Sequence, residues 1–167
     1  DYEKEGAILR QAEALPDIRT ATGLANVEAD DGRMITDRMN PRQFAELAGV
    51  DVELARLLYQ AYGLSQEEYG AIFQNPDDYS VPVIKVFNFL LEQKDKGVVN
   101  LSGEQEEKVE DLREQLDAGL AQLEGENWSR LVFTADTPEE GEEPFALLDE
   151  LRAIASRYYG EAVILVG

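Results

Sequence analysis

From Asn40 to Gly125 the apolar residues of this chain return every three or four positions, whereas on either side they gather in short β-branched runs. Side chains share a helix face every 3.6 residues and a strand face every second residue, so the two patterns belong to different elements. Strands kept to the two ends, with helices filling the middle, make an α+β chain rather than a bundle or a sandwich.

At the front, Ile8, Leu9, Ala12 and Leu15 stand at helical spacing behind Tyr2, and Pro16 stops that helix. Ile18 to Val27 is small, β-branched and free of proline, and reads as a strand; Asp30-Asp31-Gly32 is the turn after it. In the middle, Asn40-Pro41 is a cap followed by proline at the first helical position, and Gly49 closes that helix. Asp51 caps the next. Ser65 and Glu68 read as a capping box for a short helix to Phe73. Val81 to Lys96 follows as a helix, and Ser102 opens a long one through Val109, Leu112, Leu116, Leu120 and Leu123.

The last third returns to strands. Trp128 to Ala135 is one, and Ala162 to Val166 another. Between them lie an acidic turn and a helix with Phe145, Leu148, Leu151, Ile154, Ala155 and Tyr158 on one face. That is a strand-helix-strand unit, and the front of the chain is the same unit without its first strand. Two such halves predict a ferredoxin-like fold: residues 1–39 and 126–167 form one subdomain, and 40–125 a helical insertion. A missing first strand leaves an exposed sheet edge beside Ile18–Val27, through which a dimer can form. The abrupt start at Asp1 and the finish on apolar Val163 to Val166 read as a segment cut from a longer protein.

Charge and residue types narrow the function. The chain has 35 acids against 15 bases, net −20, which disfavours nucleic acid and anionic lipid as partners. It has no histidine and no cysteine. The usual general base, thiolate nucleophiles, disulfides and the commonest zinc ligands are thereby excluded. No enzyme activity and no cofactor are expected. No run approaches the roughly 20 apolar residues of a membrane span; the most apolar, Val81 to Leu91, is broken by Lys85 and Asn88.

Several runs carry a family resemblance. Gly23-Leu24-Ala25-Asn26-Val27, Asp31-Gly32 and Asn40-Pro41-Arg42-Gln43-Phe44-Ala45-Glu46-Leu47 resemble MMPL-type transporters of the resistance-nodulation-division (RND) superfamily. So do Tyr79-Ser80-Val81-Pro82-Val83, Asn127-Trp128-Ser129-Arg130-Leu131-Val132-Phe133, Glu140-Gly141-Glu142-Glu143, Tyr158-Tyr159-Gly160 and Leu165-Val166-Gly167. The resemblance implies a porter-like extracytoplasmic loop, the second of two, on the outer face of the bacterial cytoplasmic membrane. It implies a proton-driven export of lipids or hydrophobic drug-like molecules, with the transmembrane part and the other loop of the same parent chain as partners. The proton-carrying acids of that family lie in transmembrane helices outside this segment. A free-standing acidic adaptor domain fits the composition equally, and a carboxylate-only hydrolase is a third possibility.

No catalytic or metal residue is assigned, and the substrate-binding residues stay unassigned. Asp136, Glu139, Glu140, Glu142 and Glu143 have the oxygens for calcium, but acids at a helix start need no ion to be favourable. Ala29-Asp30-Asp31-Gly32 lacks the alternating ligands of a calcium loop. Tyr59, Tyr62, Tyr69, Phe73, Phe87 and Phe89 suit an apolar substrate path, though aromatics at helical spacing are more often core. The Val81–Leu91 helix is the alternative contact face. The leucine ladder is too short for a coiled coil. Lys85, Lys94 and Lys96 make no basic patch among so many acids.

Overall fold

The computed structural model describes residues 1–29, 31–70, 75–138 and 141–166, with the backbone alone at 115 and 118–121. In chain order the elements are α1 (Tyr2–Glu13), β1 (Ile18–Thr22), a 3₁₀ turn (Leu24–Asn26), β2 (Arg38–Met39), α2 (Pro41–Ala48) and α3 (Val52–Ser65). They continue with β3 (Val81–Pro82), α4 (Val83–Asp95), α5 (Gly103–Leu123), β4 (Val132–Ala135) and α6 (Glu142–Tyr159). The fold is mixed α+β, with six helices and two small antiparallel sheets among the described residues. It divides into two compact units: unit 1 is Asp1–Val27 with Gln122–Gly167, and unit 2 is Glu28–Ala121. No helix of the described residues is long and apolar enough to cross a membrane.

In unit 1, α1 starts where the Asp1 carboxylate accepts the backbone N–H groups of Glu3 and Lys4, two of the four donors a helix start leaves free. β1 and β4 pair antiparallel, from Ile18 opposite Ala135 to Thr22 opposite Val132, with an irregularity between Ile18 and Thr20. Leu9 and Ala12 of α1, Ile18 and Ala21 of β1, and Leu147 and Leu151 of α6 share one core, with Leu131, Phe133 and Ala135 packed against it. Both helices therefore cover the same sheet face. Burying a leucine in such a layer contributes about 1.5–3 kcal/mol.

The strands are shorter than the sequence predicts. β1 stops at Thr22 because the next residues turn: the Asn26 side chain accepts from the Gly23 N–H at 2.9 Å and donates to the Ala21 carbonyl at 2.8 Å. Gly23 suits that turn because a Cβ there would stand 2.5 Å from Cδ2 of Leu131. Of the expected Trp128–Ala135 strand, only Val132–Ala135 is a strand proper, with a separate bridge from Ser129 to Glu124. The expected Ala162–Val166 strand is absent; Ile164 and Val166 are 87% and 89% exposed. Apolar residues become a strand only where a neighbour completes the backbone ladder, and neither β1 nor β4 pairs with this tail.

Unit 2 begins before Asn40. β2 pairs with β3, Arg38 opposite Pro82 and Met39 opposite Val81, which binds the 28–39 segment to the helices. That pairing also starts α4 at Val83 rather than Val81. Its first N–H groups, from Val83 and Ile84, find the carbonyls of Asp37 and Ile35 at 3.0 and 2.9 Å, with no side-chain cap. α2 has the reciprocal Asn40–Gln43 capping box and ends at left-handed Gly49. Asp51 holds the cap position of α3 but its carboxylate makes no capping bond and accepts from Gln105 instead. Ser65 does not open a helix; it is the last residue of α3, its hydroxyl donating to the Tyr62 carbonyl at 2.6 Å. Residues 69–70 are helical, and 71–74, including Phe73, lie outside the described residues. Phe44, Tyr59, Val86, Phe87, Leu90 and Val109 centre the core of this unit.

Candidate functional site

α1 turns four residues of one face inward: Glu5, Ile8, Leu9 and Ala12, at the i, i+3, i+4, i+7 spacing of a helix stripe. Three are apolar. The fourth, Glu5, is the one buried charged residue among those described, 2% exposed. Its Oε1 accepts the Ser129 hydroxyl at 2.8 Å and faces the Asp1 ammonium at 3.4 Å. Its Oε2 is buried with no hydrogen-bond partner. Ser129 is held by its bridge to Glu124, and the Glu124 carboxylate lies 3.2 and 3.3 Å from the Tyr2 hydroxyl, which donates to it. Burial, with a smaller contribution from the Glu5 charge, raises the Tyr159 phenol above its ordinary pKa.

This cluster gathers two carboxylates and two hydroxyls where a positive charge or a hydrogen-bond donor would be welcome. The sequence reading missed Glu5, although the signal was there: an acid at the apolar positions of a predicted helix. Among the described residues no group of three or more acids stands together as a metal site.

The aromatics of unit 2 are mostly core. Tyr59 and Phe87 are 1% and 2% exposed. Tyr59 meets Phe44 and Tyr79 edge-on at 5.8 and 6.0 Å, and Tyr62 meets Phe89 at 5.6 Å. The Tyr59 hydroxyl donates to the Met39 carbonyl at 2.8 Å, and that of Tyr79 donates to Glu68. Tyr69 is half exposed. Tyr59 and Phe87 are thus core residues, while Phe73 lies outside the described residues. The Val81–Leu91 run is likewise buried in its own unit, with Val83, Ile84, Val86, Phe87 and Leu90 inside.

Asp136 pairs with Arg19, Glu142 and Glu143 occupy the first turn of α6, and Glu139 and Glu140 lie outside the described residues, as does Asp30. Lys94 sits between Glu106 and Glu110, and Lys96 pairs with Glu92. A cleft of about 440 Å³ in unit 2 is lined by Asp31, Arg33, Glu46, Lys108 and Asp111, with Leu47 and Leu112. Its walls carry mixed charge, which suits water better than an apolar substrate. No protein-family model, no curated protein and no solved structure matches the chain.

Proposed function

We propose that the chain is a substrate-handling domain of a proton-driven RND exporter of MMPL type, set on the outer face of the bacterial cytoplasmic membrane and acting on lipids or hydrophobic drug-like molecules. The reading rests on the runs named above, and one structural observation supports it. α1–β1 and β4–α6 share a core and an antiparallel sheet although all of unit 2 separates them in sequence. In a ferredoxin-like fold the strand that ends the first half pairs with the strand that opens the second. β1 and β4 then hold those two places, unit 1 is the porter-like subdomain and unit 2 its insertion. The domain works without catalysis or cofactor, by steric opening and closing, while the transmembrane part and the other loop of the parent chain supply the energy. Nucleic acid has no part in it.

Sequencing the reading frame on both sides of the segment tests the proposal. Apolar runs of about 20 residues on each side are the expected result. A start just before Asp1 and a stop soon after Gly167 would sink it.

A second reading, an acidic adaptor domain, is favoured by one feature. Leu57 and Leu64 stand seven residues apart on α3 and are 65% and 51% exposed, a short apolar stripe of the kind that docks a partner helix. A stop and a start close to the two ends would select this reading.

A further inference from the structure

The exposed large apolar side chains of unit 1 all come from its C-terminal stretch, 122–167. Trp128 precedes β4, Val132 is on it, Phe145 and Leu148 are on α6, and Ile164 and Val166 follow α6; each is at least 37% exposed. Among the described residues of α1 and β1 no large apolar side chain is exposed to that degree. β4 has β1 along one side and no strand along the other, so its outer backbone groups lack ladder partners among the described residues.

The same unit carries a segment with the matching need. Ala162-Val163-Ile164-Leu165-Val166 is uncharged, contains no proline and is rich in β-branched residues, the composition that favours strands. It pairs with no described strand, and its side chains alternate, Val163 and Leu165 half-buried and Ile164 and Val166 almost wholly in solvent, as on a strand with one face covered and one bare. An uncovered edge and an unpaired apolar strand in one molecule are complementary between two copies.

We infer that residues 162–166 of one copy add as a third strand to the β4 edge of a second copy, each copy giving and receiving one strand. The occupant of the edge is therefore a second copy of this chain, on the β4 side rather than beside β1. The inference goes beyond the exporter reading and stands on unit 1 alone. Its charge signature is specific. Each copy carries net −20 and the exchanged strand none, so repulsion opposes pairing and salt relieves it.

The absence of cysteine makes engineered pairs unambiguous. Thr134→Cys chains mixed with Ile164→Cys chains and oxidised are expected to link 134 of one copy to 164 of the other. The yield should rise with protein concentration and with salt, between about 0.01 M and about 1 M, as the screening length falls from about 30 to about 3 Å. In sedimentation, the unaltered chain should associate reversibly and the chain lacking 162–167 should not. A Thr134→Cys/Ile164→Cys chain that closes on itself at low concentration overturns the inference. So does a chain that sediments as a monomer at about 1 mM, where even a contact worth about 4 kcal/mol would be populated. Dimers that survive loss of the tail do so as well.

Discussion

Glu5 occupies a place that Ile8, Leu9 and Ala12 would lead one to fill with another apolar residue. A buried carboxylate is costly unless donors surround it, and the Ser129 hydroxyl is the shortest of its contacts. Ser129→Ala is expected to destabilise unit 1 by about 1–3 kcal/mol, the cost of leaving a buried acceptor short of a partner. In a Glu5→Gln background the same change should cost less, because the side chain left behind is neutral. Urea unfolding of the four chains in that cycle measures the difference, and equal costs in both backgrounds would refute the coupling. Tyr59 makes a parallel case in unit 2. Burial raises the pKa of its phenol, as it does for Tyr79, well above the ordinary value of 10.0. A folded pKa above the unfolded one means that the folded state keeps its proton longer. The stabilisation is then whole below about pH 10 and is lost as pH rises beyond it. Tyr59→Phe should cost about 0.5–1.5 kcal/mol at neutral pH, since it removes the bond to the Met39 carbonyl. It should also flatten the decline in stability above about pH 10. An unchanged alkaline slope would assign that decline to other groups.

At the scale of elements, α4 and α5 are tied by Lys94, which meets Glu106 at 3.2 Å and also Glu110, while Arg113 lies 3.8 Å from Asp95. The hydrogen bond from Lys94 holds the Glu110 carboxyl below its ordinary pKa, and the same bond raises that of Lys94. A depressed carboxyl stabilises the fold above its unfolded value of 4.5 and loses that contribution as pH falls through the lower folded value. Lys94→Met keeps the stem and removes the charge. It should lower thermal stability at neutral pH and make the acid-side loss shallower than in the unaltered chain. Parallel melting curves from neutral to acid pH read this, and curves of identical acid slope would count against the tie. Elements bounded by local chemistry were legible in the sequence: α2 between Asn40-Pro41 and Gly49, and α5 behind Ser102, whose backbone N–H bonds the Gln105 side chain at 3.1 Å. Those set by distant partners were not. β2 and β3 are two residues each, too short for any period to register, and they exist because residues 35–39 meet 81–84. The apolar 162–166 segment had every mark of a strand, yet strand formation needs a neighbour that composition does not reveal. Glu5 was hidden for the opposite reason: its helical position was visible, but its environment depends on Ser129, far along the chain.

Across the whole chain the two units differ in how their cores are assembled. The unit 2 core, from Phe44 through Tyr59, Tyr79 and Phe87 to Val109, comes from one continuous stretch. The unit 1 core needs Leu9, Ala12, Ile18 and Ala21 from the front of the chain and Leu147 and Leu151 from its end. A two-stranded sheet is marginal alone and depends on the helices packed on it, so neither end holds a structure without the other. Unit 2 has no such dependence among its buried residues. The fragment 28–121 is therefore expected to fold by itself and to unfold in one cooperative transition. Its near-ultraviolet circular dichroism should show Tyr59 and its ring neighbours fixed, as edge-on packing at 5.8 and 6.0 Å requires. Separate 1–27 and 122–167 fragments should show neither feature. The reasoning turns on the 28–39 segment. The bonds from Val83 and Ile84 to Asp37 and Ile35 satisfy two of the free backbone donors of α4, so a fragment cut at 40 loses them and should be less stable than one cut at 28. If 28–121 and 40–121 melt alike, that segment is not part of the unit. If neither shows a cooperative transition, unit 2 is not an independent folding unit.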